Sequence, residues 1–405
     1  MARAVRSDRG RKVSSGEASQ RCIGKGVARV ARSAFPLWPE RWCVLFHRKN
    51  RPLWLPPEDY RFQRCALRYF VADPLKALYA RALLRAHALM PGAGVLREAR
   101  LPQNLRNLLS FHVPLNEPWR CAIRFGTRGP YQKASVLLAS MEGDGLALAK
   151  VAMTQSADAM VIAEAAWLRQ LAAMPGVAAR VPRLIADGAT LGGRRYLAVT
   201  LAPTTRQCGQ FTPAHARFLA ALGRERLEIH GFVASPRYEA LQRGLSDLAA
   251  FSEPAARAAL YKALETCAAA LRRWTGPFVI AQGDFSPWNI RIDRDEIFVF
   301  DWEYAHAGGN PLFDVLNYLL MPRAVSGRAI SVCAFAAALR EAGARARELY
   351  PEWSWRHPVV GALALAYLLE VLVHYSLASR CIDGTHPVVR SYWQLMERRT
   401  AWLPT

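Results

Sequence analysis

Residues 281–303 constrain this chain more than any other stretch: Ala-Gln-Gly-Asp-Phe-Ser-Pro-Trp-Asn-Ile, a polar turn, then Phe-Val-Phe-Asp-Trp-Glu. Three metal-competent side chains fall at fixed intervals. Asp284 and Asn289 lie five positions apart on a loop, because Gly283 and Pro287 both oppose regular structure. Asp301 follows twelve residues after Asn289. Between them, Ile290, Ile292, Ile297, Val299 and Phe300 flank the polar turn Asp293-Arg294-Asp295-Glu296, the signature of a short hairpin. Such a hairpin folds Asp301 back toward Asn289.

This unit suits phosphoryl transfer. That reaction needs a carboxylate to orient and deprotonate a hydroxyl, and oxygen ligands to hold magnesium against nucleotide phosphates. Asp284 is the candidate base, and Asn289 and Asp301 are the candidate metal ligands. A lone Asp and Asn at this spacing is usually a turn decoration; the added Asp-Trp-Glu segment argues against that reading.

The stretch resembles the aminoglycoside phosphotransferase and choline kinase family of kinase-like enzymes. The resemblance rests on Gly283-Asp284, Pro287-Trp288-Asn289, Asp301-Trp302-Glu303, and Gly309, Pro311 and Asp314, in that order. It implies a bilobal α+β fold, with a small antiparallel-sheet N-lobe and a mainly helical C-lobe. It also implies ATP and Mg2+ as cofactors, Asp284 as catalytic base, Asn289 and Asp301 as magnesium ligands, and Asp314 as a brace for the catalytic loop. An ordinary helix N-cap ahead of Val315–Leu320 is the other reading of Asp314. Where the family usually carries His before Gly-Asp, this chain has Gln282, which also donates a hydrogen bond. In this fold that position supports the metal segment, so a nucleotide-binding protein with impaired catalysis is the alternative reading.

An upstream nucleotide lobe is expected over 120–202. Runs at Cys121–Phe125, Ala134–Ser140, Leu146–Val151 and Tyr196–Leu201 read as antiparallel strands, and 158–173 reads as a helix. Lys150 ends an apolar run in a chain with only seven Lys among 54 basic residues. Glu164 lies on the apolar stripe of Val161, Leu168 and Leu171, where an acid needs a buried cation. The resemblance implies that Lys150 contacts the nucleotide phosphates and is held by Glu164. Gly126 and Gly129, in the turn before Lys133, are candidates for a phosphate-binding loop to which Arg128 and Lys133 add cations; a plain hairpin turn is an equal reading. By position, Thr200 and Ala202 belong to the hinge whose backbone meets adenine.

Residues 1–52 hold thirteen Lys or Arg and three Asp or Glu, nearly half of the chain's formal charge of +22. They read as a basic, disordered extension, and 53–119 as a helical segment of unassigned role in which 74–90 is a helix stopped by Pro91-Gly92-Ala93-Gly94. Nucleic-acid binding through the basic N-terminus is a second alternative, but nucleic acid is not the expected partner, because aromatic and basic residues are not interleaved there. The apolar stretch 359–377 contains Glu370 and His374 and reads as a buried C-lobe helix, so no transmembrane segment is expected and the chain is assigned to the cytoplasm. The eight scattered cysteines suggest neither zinc nor disulfides. His306 reads as a packing or surface residue. Residues 203–405 are expected to form the helical catalytic and substrate lobe, and the expected acceptor is a hydroxyl on a sugar, an amino alcohol or an aminoglycoside-like compound. The oligomeric state stays open.

Overall fold

A computed structural model describes residues 38–403 except 47–50, 58–59, 72–73, 91–94, 116–117, 204–205, 381 and 383–384. An antiparallel eight-stranded sheet forms the N-lobe. Its strands are β1 (Trp42–Leu45), β2 (Leu53–Leu55), β3 (Arg97–Ala99), β4 (Arg120–Phe125), β5 (Lys133–Ala139), β6 (Gly145–Ala152), β7 (Leu184–Ala189) and β8 (Arg195–Val199), ordered β3-β1-β2-β4-β5-β6-β8-β7. Helices α1 (Tyr60–Phe70), α2 (Pro74–Leu89), α3 (Gln103–Leu108) and α4 (Gln155–Ala172) accompany it.

The sheet begins earlier than the sequence suggested. Trp42–Leu45 is a buried strand of the sheet and not part of an extension, because alternate side chains are covered on both faces. Trp42 joins an aromatic cluster with Phe111 and Trp119, while Cys43, Leu45, Leu53 and Leu55 pack with Phe62 and Leu67 of α1 on the other face. The segment 53–119 is likewise not simply helical: β2 pairs with β4 through Leu53↔Arg124 and Trp54↔Ile123, and β3 pairs with β1. Residues 1–37 and 47–50, which carry most of the basic run, and the helix stop at 91–94 lie outside the described residues.

Two N-lobe elements position chemistry. In β6, Lys150 stands between Ser135 of β5 and Leu197 of β8. Helix α4 starts where the Thr154 hydroxyl accepts from the Ala157 amide, and it buries Val161, Glu164, Leu168 and Leu171 along one stripe.

The C-lobe is mainly helical: α5 (Pro213–Glu225), α6 (Pro236–Asp247), α7 (Pro254–Ala270), α8 (Phe313–Val325), α9 (Val332–Leu349), α10 (His357–Ser379) and α11 (Pro387–Glu397). Strands β9 (Glu228–Gly231), β10 (Thr275–Ala281) and β13 (His306–Gly309) form a small sheet with β10 central, and β11 (Ile290–Asp293) pairs with β12 (Glu296–Val299) as the expected hairpin. Among the described residues α10 alone is long and apolar enough to cross a membrane, and 83% of its apolar window is buried in the fold. Together the two lobes make a kinase-like α+β fold, as the motifs implied.

Candidate active site

Strand β10 is buried from Gly276 to Ala281 and delivers Gln282, Gly283 and Asp284 at its end. Gly283 has φ +84°, and a Cβ there would stand 2.3 Å from the Tyr304 carbonyl oxygen. Only glycine fits that turn. Asp314, in the first turn of α8, accepts from the Gln282 amide at 2.8 Å and the Gly283 amide at 3.1 Å. It braces the loop and does not cap the helix, since the cap position is Leu312. Burial pushes the Asp314 carboxyl up to about 7, against the pull of these two amides.

Gln282 is wholly buried and joins both halves of the motif. Its Nε2 donates to the Asp301 carbonyl at 2.6 Å, and its Oε1 accepts from the Asp284 amide at 2.9 Å. A primary amide offers a donor and an acceptor at once.

The Asp284 carboxylate accepts from Ser286 Oγ at 3.0 Å, from Asn289 Nδ2 at 2.7 Å and from Trp288 Nε1 at 3.4 Å. Burial, and then the charge of Asp301, raise its pKa to about 6, while those three donors oppose the shift. Asn289 Nδ2 also donates to the Asp284 carbonyl at 3.0 Å. With its amino group fixed between two acceptors, the Asn289 amide oxygen is the atom left for a ligand. Asp301 adopts a left-handed backbone, φ +68°, of the kind that gathers at functional sites.

From the N-lobe, Lys150 Nζ reaches Glu164 at 2.6 and 2.7 Å and Asp301 Oδ1 at 2.7 Å. Burial pulls the Lys150 ammonium down, but Asp301 and Glu164 outweigh it and the net shift is upward. Burial pushes the Asp301 carboxyl up, yet Lys150 and Lys133 hold it below the ordinary carboxylate range. Asp301 Oδ2 has no hydrogen-bond partner among the described residues. It and the Asn289 amide oxygen are hard oxygen donors, the set that suits magnesium. Ligand oxygens of Glu164, Asp301 and Glu303 also lie within 4.8 Å of one another.

The other nucleotide candidates divide. Gly126 and Gly129 sit in the β4–β5 hairpin, where the Gly126 amide donates to Lys133 O at 2.8 Å. Lys133 stands beside Glu303 as an ion pair, as Lys150 stands beside Glu164 and Asp301. At the hinge, the Thr200 amide donates to Arg183 O at 3.0 Å, which withdraws it from any base. The Ala202 amide has no partner among the described residues.

A cavity of about 250 Å³ adjoins Asp284, lined among others by Arg237, Tyr304, His306, Glu370, His374 and Tyr375. His306, expected as a packing or surface residue, and Arg237 both line this cavity. A usable signal was present in α10: Glu370 and His374, four positions apart inside an apolar run, share a helix face.

Residues 142–358 match the model of a family described as the phosphotransferase enzyme family. None of the curated proteins compared with the chain matches it. Among solved structures, it is similar to a thermostable mutant of aminoglycoside phosphotransferase APH(4)-Ia in its apo form, at 15% identity and TM-score 0.47, covering 68% of this chain and 94% of that one. It is also similar to choline kinase from Cryptosporidium parvum Iowa II, at 11% identity and TM-score 0.46, covering 69% and 88%.

Proposed function

The chain belongs to the phosphotransferase enzyme family, and from that premise we propose that it moves the γ-phosphate of ATP, with magnesium, to a hydroxyl of a small molecule. The observation that carries this reading is one junction: Lys150 Nζ lies 2.7 Å from Asp301 while holding Glu164, and Gln282 ties Asp301 to Asp284. Three segments distant in sequence thereby place a cation, a metal-competent carboxylate and a candidate base around one cleft.

In this reading Lys150 holds nucleotide phosphate oxygens, kept in place by Glu164. Asn289 and Asp301 would hold magnesium, which when bound neutralises charge on the transferring phosphate. Asp284 orients the acceptor hydroxyl and takes its proton as that oxygen bonds to the γ-phosphorus and the bond to the ADP oxygen breaks. A pKa raised to about 6 leaves Asp284 ionised at neutral pH, yet basic enough to accept that proton. The N-lobe, including β1–β3, grips the nucleotide in this assignment, and residues 203–405 carry catalysis and the acceptor. Gln282 offers no support for a silent cleft, because it satisfies both segments it touches.

Calorimetric titration with ATP tests the reading. Binding should require magnesium and weaken in Asp301→Asn by at least as much as the loss of a metal ligand's own hydrogen-bond partner typically costs, about 10- to 100-fold. Nucleotide binding indifferent to both magnesium and Asp301 would contradict it.

A further inference from the structure

Several of the buried polar atoms that lack a hydrogen-bond partner among the described residues gather at the cavity beside Asp284. Arg237 Nε, His306 Nε2, Asn317 Oδ1 and Glu370 Oε1 all belong to residues lining it, and none has a hydrogen-bond partner of good geometry, although the Asn310 side chain stands near the Glu370 carboxylate. Buried polar atoms are paired in the great majority of cases, with protein, water or ligand, so four such atoms around one cavity offer hydrogen bonds to whatever enters it. Arg237, from the first turn of α6, and Glu370, from α10, meet only at 3.5 Å between Nε and Oε2, a charge contact without a hydrogen bond.

The sign of each orphan defines its complement. His306 Nδ1 lies 3.1 Å from the Tyr304 carbonyl, which can only accept; Nδ1 therefore carries the proton. Burial, and then the charge of Arg237, lower the pKa of both His306 and His374 to about 4, so both rings are neutral at pH 7 and His306 Nε2 is an acceptor. Asn317 Oδ1 is a second acceptor and Glu370 Oε1 a third, whereas Arg237 Nε donates. A partner must bring several donors and at least one acceptor to the same small volume. Hydroxyl groups do both.

Charge separates hydroxyls from amines. The formal charges lining the cavity are Arg237, Glu370 and Asp284. Arg237 offsets Glu370 and leaves Asp284 as the remaining anion at the reacting end; where the imidazoles stand, burial together with Arg237 keeps either ring from becoming a cation. The same two forces act on a ligand ammonium. Size points the same way, since about 250 Å³ falls below the roughly 300–1,000 Å³ that holds drug-sized ligands. A multi-ring aminoglycoside would place only part of itself in it. Tyr304, Tyr375 and Phe313 add aromatic walls against which the apolar face of a sugar ring can stack.

Resting on the phosphotransferase reading, we infer that the acceptor is a compact neutral polyol of monosaccharide size, its non-reacting hydroxyls held by Glu370, Arg237, His306 and Asn317. Glu370 and Arg237 are specificity residues in this account, and the reacting hydroxyl faces Asp284.

The test is a turnover panel with MgATP, setting monosaccharides and alditols against size-matched amino alcohols and against aminoglycosides. It is run on wild type and Glu370→Gln, with MgATP affinity measured in parallel. Neutral polyols should be phosphorylated in preference to their amino counterparts. In Glu370→Gln, kcat/KM for the polyol should fall about tenfold or more, through KM, because one hydrogen bond to a charged group is weakened; MgATP affinity should not move. Preference for amino acceptors, no use of any neutral polyol, or unchanged polyol kinetics in the variant would each overturn the acceptor assignment while leaving the phosphotransferase reading in place. Failure of wild type to bind MgATP would instead remove the reading beneath it. Should the variant not fold, the wild-type panel decides alone.

Discussion

The Lys150 side and the Arg237 side of the cleft bury charge in opposite ways. Around Lys150 the hydrogen bonds are made within the protein: Glu164 and Asp301 both lie within 2.7 Å of its ammonium. Around Arg237 they are not, and a guanidinium and a carboxylate face each other at 3.5 Å without a hydrogen bond. A buried ion pair stabilises only when its geometry and remaining hydrogen bonds are good. The first arrangement fixes its cation in place before any ligand arrives, which in the proposed reading suits a partner whose shape never varies, a triphosphate. The second is unfinished, and its completion by a ligand is where selectivity can reside.

Substitutions on the two sides should therefore behave differently. The largest effect is expected for Lys150→Met, which leaves Glu164 and Asp301 buried without their cation. A stability loss of about 3–5 kcal/mol, with loss of MgATP binding, should appear in denaturant titration and calorimetry. A variant as stable as wild type would show that the junction is not the complete unit described here.

Next comes Gln282→Leu. It removes the bonds from Asp301 O and Asp284 N to the side chain and leaves a buried carbonyl and amide unpaired. Turnover should drop by about tenfold or more, with MgATP affinity changed less. Gln282→His should retain most activity, since imidazole can also donate to one group and accept from the other. Equal kinetics for Leu and Gln at this position would mean the link between the two segments is dispensable.

The smallest effect on stability belongs to the acceptor side. Burial raises the Glu370 carboxyl from 4.5 to about 7, with Arg237 and the Asn310 side chain opposing and Asp314 adding to the rise. The native state thus holds this proton more tightly than the unfolded chain. The destabilisation begins as pH rises above the unfolded value, and is fully present above about 7. Glu370→Gln should therefore melt at or above the wild-type temperature at pH 8, with the difference vanishing near pH 4, in thermal scans at the two pH values. A variant clearly less stable than wild type at pH 8 would place the ion pair among the fold's supports and erase the contrast with Lys150.

The same contrast runs through what the sequence revealed. The chemical loop, the β11–β12 hairpin and the Lys150–Glu164 pairing were legible because each breaks a local rule: glycine and proline in a loop, a polar turn between apolar runs, and an acid on an apolar stripe. Residues 120–202 were read nearly strand by strand, missing only β7, whose Leu184–Ala189 is incompletely buried and ends in Asp-Gly-Ala. The early strands β1–β3 escaped because strands of three or four residues are too short to show a period, and β1 lay inside a basic run. The acceptor cavity escaped for a different reason. Arg237, His306, Asn317 and Glu370 come from four separate elements, and only tertiary packing brings them together.

Phosphorus NMR of wild type and Asp284→Asn, each incubated with MgATP and a neutral monosaccharide, tests the central claim most directly. The account predicts a new phosphomonoester resonance growing in step with ADP in wild type, and its rate reduced about 10²- to 10⁴-fold in the variant, the usual contribution of a general base. An ester formed equally fast by Asp284→Asn, or γ-phosphate released only as inorganic phosphate, would contradict it.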